Sequence, residues 1–156
     1  MFELVGSLAV DAAAGTAEGR ATVPADHPAF PCLIDHFPGA PVLPGSLQLE
    51  LCAQVAGPLA EEVTALRHSL ERWAFLGLVR NAAFLERVDL PASLRVSARV
   101  RRAEPSSVAV TVSLAREGGA QLCRAELVMT LREADPTWAE AIRGYRERLA
   151  AWKARW

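Results

Sequence analysis

Apolar positions change period twice in the first half of the chain. Residues 2–10 alternate apolar and polar as a strand does, 11–19 supply turn residues, and 20–23 predict a short second strand that closes a hairpin. Between Pro24 and Pro44 the prolines at 24, 28, 31, 38, 41 and 44 remove amide donors and block a regular helix, which predicts a long, stiff loop. From Ser46 to about Leu66 the period becomes helical. Leu47, Leu51, Val55, Leu59 and Val63 recur at spacing four, while Leu49, Cys52, Ala53, Ala56 and Ala60 fill a second face. A helix apolar nearly all round is one covered on most sides. Pro58 is expected to kink it, because its ring meets the carbonyl of Gln54 one turn earlier. Glu61, Glu62 and Arg67 return the helix to water.

The second half predicts strands separated by turns: residues 73–88, then Leu94, Val96, Ala98 and Val100 alternating with Arg95, Ser97, Arg99 and Arg101, then Val108, Val110, Val112 and Leu114. A last strand sets Cys123, Ala125, Leu127, Met129 and Leu131 against Arg124, Glu126, Thr130 and Arg132. Turns fall at Pro91-Ala92-Ser93, Glu104-Pro105-Ser106 and Glu117-Gly118-Gly119. About six mostly antiparallel strands around one long apolar helix make an α+β domain over 1–134. In 135–156, Asp135 as N-cap and Pro136 at the first helical position open a C-terminal amphipathic helix. Its seam of Trp138, Ile142, Tyr145, Leu149, Trp152 and Trp156 is expected to pack on the outside of the sheet or across a subunit boundary.

With 156 residues, of which 51% are hydrophobic and 22% charged, at net charge −1, the chain can bury a real core and is neither a disordered tail nor a polybasic nucleic-acid binder. No apolar run reaches the length of a membrane span, and the N-terminus has no basic segment ahead of its apolar residues, so the expected location is cytoplasmic. Cys32, Cys52 and Cys123 lack metal-type spacing and read as free thiols. Lys153 is the sole lysine. Positive charge therefore comes as planar guanidinium forks, and Arg99, Arg101 and Arg102, with Arg80, Arg87 and Arg95, form either a solvated sheet face or a dock for an acidic partner.

The chemistry concentrates in residues 35–54. Glu50 sits just over one turn into an apolar helix, where desolvation favours the neutral acid, and Gln54 at i+4 can orient it; the structural alternative pairs Glu50 with Arg80 or Arg87. His36, in a loop held by Pro38, Pro41 and Pro44, has the right kind of group for proton transfer near neutrality. Pro44-Gly45-Ser46 places a glycine at a helix start, whose free amides can polarise a carbonyl oxygen. A base, an acid and an amide donor are what removal of water from a β-hydroxy carbonyl compound requires. His27 and His68 have no such surroundings.

The run His36-Phe37-Pro38-Gly39-x-Pro41-Val42-x-Pro44-Gly45-x-Leu47-x-x-Glu50-x-x-Ala53-Gln54 resembles the signature of the hot-dog-fold β-hydroxyacyl-acyl-carrier-protein dehydratases of fatty acid synthesis and polyketide-type pathways. That resemblance implies a hot-dog fold, a cytoplasmic homodimer, an acyl-carrier-protein partner and no metal or organic cofactor. It makes His36 and Glu50, fourteen positions on (50 − 36 = 14), the catalytic pair, with His36 of one subunit facing Glu50 of the other. It gives the thioester carbonyl to the Gly45 amide, a supporting place to Gln54, and a substrate loop to Phe37, Pro38, Gly39 and Pro44; Arg99, Arg101 and Arg102 would dock the carrier. A thioesterase, or a non-catalytic partner in a heterodimer with another hot-dog chain, are the alternatives. Phe75-x-Gly77-Leu78 and Phe84 are similar to the family's strand after the helix, whereas Pro91-Ala92-Ser93 replaces its Pro-Gly-Asp turn. Asp35 stands where the family has glycine, Cys32-Leu33-Ile34 lengthens the preceding segment, the family's N-terminal helix is missing and the Trp-rich C-terminal helix is extra.

Overall fold

The computed structural model describes residues 4–26, 33, 37 and 39–156. Six strands, β1 (Ser7–Asp11), β2 (Thr16–Val23), β3 (Trp73–Phe84), β4 (Ala92–Glu104), β5 (Ser107–Arg116) and β6 (Gln121–Arg132), form one antiparallel sheet in the order β1-β2-β4-β5-β6-β3. The long helix α1 (Gly45–His68) lies in the curve of that sheet and touches all six strands. This is the hot-dog arrangement. The core runs between the fully buried helix residues Leu51, Val55, Leu59 and Val63 and the inward alternation of β4, β5 and β6, including Leu94, Val110, Leu114 and Leu127. Burial of such side chains contributes roughly 1.5–3 kcal/mol each.

Several boundaries differ from the sequence expectation, each for a tertiary reason. β2 begins at Thr16 rather than 20: the turn-like residues Thr16 to Gly19 pair with Arg99 to Val96 of β4, and cross-strand bonding overrides their weak local preference. Gly19 is required there, since a Cβ would come within 2.4 Å of Val55 where α1 crosses the strand. α1 continues as a helix on both sides of Pro58, which is buried. The predicted turn at Pro91-Ala92-Ser93 is instead a cis Leu90–Pro91 bond leading directly into β4. The expected strand at 2–10 shortens to Ser7–Asp11, and its first residues, like part of the proline loop, lie outside the described residues.

At the C-terminus Asp135 does cap, accepting the Thr137 amide at 2.8 Å, but it opens a 3-10 turn, Pro136–Trp138, before α2 (Ala139–Ala154) begins. α2 does not lie on the outside of the sheet. It packs on the side of α1 that the sheet leaves open and against β1, with Trp152 fully enclosed and Leu149 against the core. The half-buried glutamates of α1, the segment just after it and the one before β1 supply partners for α2 and the residue after it. Lys153 pairs with Glu62, Arg146 with Glu71, and the Arg155 guanidinium donates to the Gly6 carbonyl at 2.6 Å.

Between the helices Glu61 accepts the Tyr145 hydroxyl at 3.1 Å and the Ala74 amide at 3.0 Å, while Tyr145 meets the Trp73 ring edge-on at 5.4 Å. Burial pushes the Glu61 carboxyl up to about 7; the Ala74 and Tyr145 hydrogen bonds and Arg146 oppose that rise, and Glu62 reinforces it. The folded chain therefore holds a proton on Glu61 that the unfolded chain releases near 4.5, so the stability it contributes is complete below about 4.5 and lost as pH rises through about 7. The thermal midpoint of the native chain relative to Glu61→Gln is expected to fall between pH 5 and pH 8. Midpoints that run parallel across that range would remove this account of the latch.

Candidate active site

The loop before α1 is pinned to the start of β4. Leu43 N–H donates to the Val88 carbonyl at 2.9 Å, Leu90 N–H donates to the Pro41 carbonyl at 3.0 Å, and Val42 bridges Asp89. Gly39 takes φ +78°, the left-handed conformation for which glycine is suited, beside the turn in which the Ala40 amide donates to the Phe37 carbonyl at 2.9 Å. Pro44 occupies the N-cap position in an extended conformation, and its carbonyl accepts both the Leu47 and the Gln48 amides at 3.0 Å. The Gly45 and Ser46 amides, with no carbonyl one turn earlier, have no partner among the described residues. His36 and Pro38, with Asp35, lie outside the described residues.

Gly45 borders a cleft of about 510 Å³ between the helix start and the end of β3, lined also by Phe37, Val42, Pro44, Gln48, Phe84 and, at the rim, Glu86 and Arg87. The Phe84 ring lies so close over Gly45 that a Cβ there would come within 2.9 Å of it. Gln48 was not singled out by the sequence, where it sits among leucines. It is 4% exposed, its Nε2 donates to the Leu43 carbonyl at 3.1 Å, and its Oε1 has no partner among the described residues. A buried acceptor left unpaired costs about 1–3 kcal/mol. A polar residue amid an apolar helical run was the signal that could have found it.

Glu50 faces elsewhere. Five residues along a helix turn the side chain through about 140°, so Gly45 and Glu50 point to different sides of α1, and Glu50 is not among the residues lining the Gly45 cleft. It is half-buried, less enclosed than the apolar run predicts, because the sheet does not cover this flank of the helix. Gln54 does orient it: Nε2 donates to Glu50 Oε1 at 2.9 Å, while Gln54 Oε1 accepts the Leu4 and Val5 amides at 3.1 and 3.3 Å. The N-terminal strand thus holds the glutamine that holds the carboxylate. Neither proposed arginine partner reaches Glu50, since Arg87 pairs with Asp89 at 2.7 Å and Arg80 with Glu126 at 3.8 Å.

Arg99, Arg101 and Arg102 lie on the distal half of β4, beside Gly15 and the last turn of α1, far from Gly45 in the same chain. Arg102 pairs with Glu104 at 2.8 Å; Arg99 and Arg101 have no acidic partner among the described residues. Arg99 also borders an open groove of about 700 Å³ on the outer sheet face, which holds none of the motif residues. Cys52 and Cys123 are buried free thiols, and burial pushes both up. Among the described residues no three side chains are grouped to hold a metal ion, and no helix is long and apolar enough to cross a membrane.

Residues 1–126 match the family model described as FabA-like domain. Over 103 residues, 66% of this chain and 67% of the relative, the sequence is 31% identical to the 3-hydroxyacyl-acyl-carrier-protein dehydratase FabZ of Shewanella amazonensis. It is 34% identical, over 65% of this chain and 67% of the relative, to the FabZ of Haemophilus influenzae. In fold it is similar to smu.793 of Streptococcus mutans, solved bound to acetyl CoA, with a TM-score of 0.64 at 16% identity over 85% of this chain and 94% of that one. It is likewise similar to a thioesterase of Haemophilus influenzae, with a TM-score of 0.56 at 16% identity over 75% and 71%.

Proposed function

Because this chain belongs to the FabA-like family of hot-dog dehydratases, we propose that it interconverts 3-hydroxyacyl and trans-2-enoyl thioesters carried on an acyl carrier protein. The observation that carries the reading is the pairing, on one buried helix, of partnerless amides at Gly45 with a carboxylate held by Gln54 at Glu50. In the forward direction His36 takes the proton α to the thioester carbonyl, the Gly45 amide steadies the enolate oxygen, and Glu50 protonates the hydroxyl that leaves as water. The chemistry calls for no metal or organic cofactor.

The working form is a homodimer. The cleft half and the carboxylate half face different sides of α1, so a complete site needs a second chain to bring them together. β3 supplies the surface: it is a twelve-residue edge strand with Phe75, Leu76, Leu78 and Phe84 at least 41% exposed, an edge that water does not favour and a second copy would cover.

Mass spectrometry of a 3-hydroxyacyl carrier or its N-acetylcysteamine surrogate, incubated with the protein, is expected to show loss of one water. Release of free thiol without enoyl product would instead establish a thioesterase, a reading the half-open Glu50 also accommodates by leaving room for an attacking water.

Arg99 and Arg101 would dock the carrier, with Arg102 at their edge. α1 spans about 36 Å and runs antiparallel to β3, with Phe84 beside Gly45 and Ala74 beside Glu61. Antiparallel pairing of two β3 edges would therefore set one chain's arginines at the same end of the dimer as its partner's helix start. Arg99→Glu with Arg101→Glu is expected to lower kcat/KM for carrier-bound substrate about tenfold and to leave a small thioester surrogate unaffected. Equal rates on carrier-bound substrate would remove the docking assignment.

A further inference from the structure

We propose that Gln48 is a substrate-positioning residue whose side-chain carbonyl accepts a hydrogen bond from the amide N–H of a cysteamine-type thioester arm entering the cleft beside Gly45. The inference rests on the reading that this cleft takes an acyl thioester, and it adds what part of the arm is recognised and by which residue.

Two uncharged polar groups of opposite kind lie at the inner end of the cleft. Gly45 offers an amide donor without a partner among the described residues, since the helix start leaves it no carbonyl. Gln48 offers the complementary group. Its Nε2 is committed to the Leu43 carbonyl at 3.1 Å, which fixes the orientation of the side-chain amide and leaves Oε1 as a buried acceptor with no donor among the described residues. The rest of the lining is mixed: Val42 is enclosed, Phe37 and Phe84 are half exposed, and Glu86 and Arg87 stand at the rim. A matching ligand must present an acceptor to the Gly45 amide and, a short apolar stem away, a donor to Oε1.

An acyl thioester of a cysteamine amide has that order: a carbonyl oxygen, then sulfur and two methylenes, then a secondary amide N–H. A free fatty acid or a simple alkyl ester lacks the donor and would leave Oε1 as unsatisfied as before. The Phe84 ring, half exposed and resting on Gly45, is the wall that gives way as the arm enters. Oε1 is buried and unpartnered among the described residues, so an arm that reaches it supplies a bond that solvent did not.

Calorimetry on the full chain tests this with two ligands: the crotonyl thioester of N-acetylcysteamine, and its isologue in which an ester oxygen replaces the amide N–H. The native protein is expected to bind the N–H ligand about tenfold more tightly, and Gln48→Leu to reduce that ratio to about one, as is Gln48→Met should the leucine variant fold poorly. A native ratio near one overturns the proposal without any variant, as does a ratio that Gln48→Leu leaves unchanged, and as does the absence of binding by either ligand. The readout is binding, so it separates from the dehydratase reading. Gln48-dependent discrimination without water loss would retain the inference and remove the activity, whereas water loss with a Gln48-independent ratio would remove the inference alone.

Discussion

Replacement of Glu50 by glutamine is expected to lower the rate of water loss from a 3-hydroxyacyl thioester by about 10³-fold while moving the thermal midpoint little. The carboxyl is half-buried, and its bond among the described residues is to Gln54, a partner that a glutamine side chain at 50 can still meet, so the exchange removes an ionisable proton and little packing. A positioned general acid is typically worth 10²–10⁴-fold, and the leaving hydroxide has no other carboxyl donor on this helix face. His36→Ala is expected to fall by a similar factor, since base and acid act in one reaction; its role is carried by the motif. Stopped assays on the carrier-bound substrate, with melting curves alongside, check both. Native rates in both variants would end the acid–base proposal and leave the fold untouched.

Leu78→Glu is expected to convert the proposed dimer into monomers and to lower turnover about 100-fold, although Leu78 is 46% exposed in the single chain and touches no proposed catalytic group. Its backbone pairs with Val128 of β6 on one side only, so the other side of β3 is free to pair with a second copy. A charge placed on that edge would have to be desolvated in the dimer, and like charges would meet across the two-fold axis. Because the Gly45 cleft and Glu50 face different sides of α1, a monomer would hold only separated halves of a site. Sedimentation velocity gives the oligomeric state and the water-loss assay gives the rate. A Leu78→Glu protein that stayed dimeric and fully active would remove β3 as the interface.

Both expectations join something local to something that is not, and the legibility of the chain divides the same way. The alternations at Leu94 to Val100, Val108 to Leu114 and Cys123 to Leu131 marked β4, β5 and β6, and the spacing-four leucines marked α1, because inward and outward positions follow from backbone period alone. The identity and spacing of Gly45, Glu50 and Gln54 were likewise legible, and i+4 geometry was enough to predict that Gln54 would hold Glu50. Asp135 and Pro136 were legible as a helix start for the same local reason, although the first turn they open is 3-10 and the α-helix follows it.

By itself, then, the sequence determined the family, the element types and the chemical groups available to the site, all properties carried by neighbouring residues. Tertiary structure decided which strand became the open edge, that Thr16 to Gly19 would pair with β4, that Tyr145 would reach Glu61 across 84 positions, and that α2 would pack against β1. It also left Gln48 buried with one bond made and one wanting, a state no spacing announces. Those outcomes depend on contacts between distant segments, whose energies are settled only when the whole chain competes for the same buried surface.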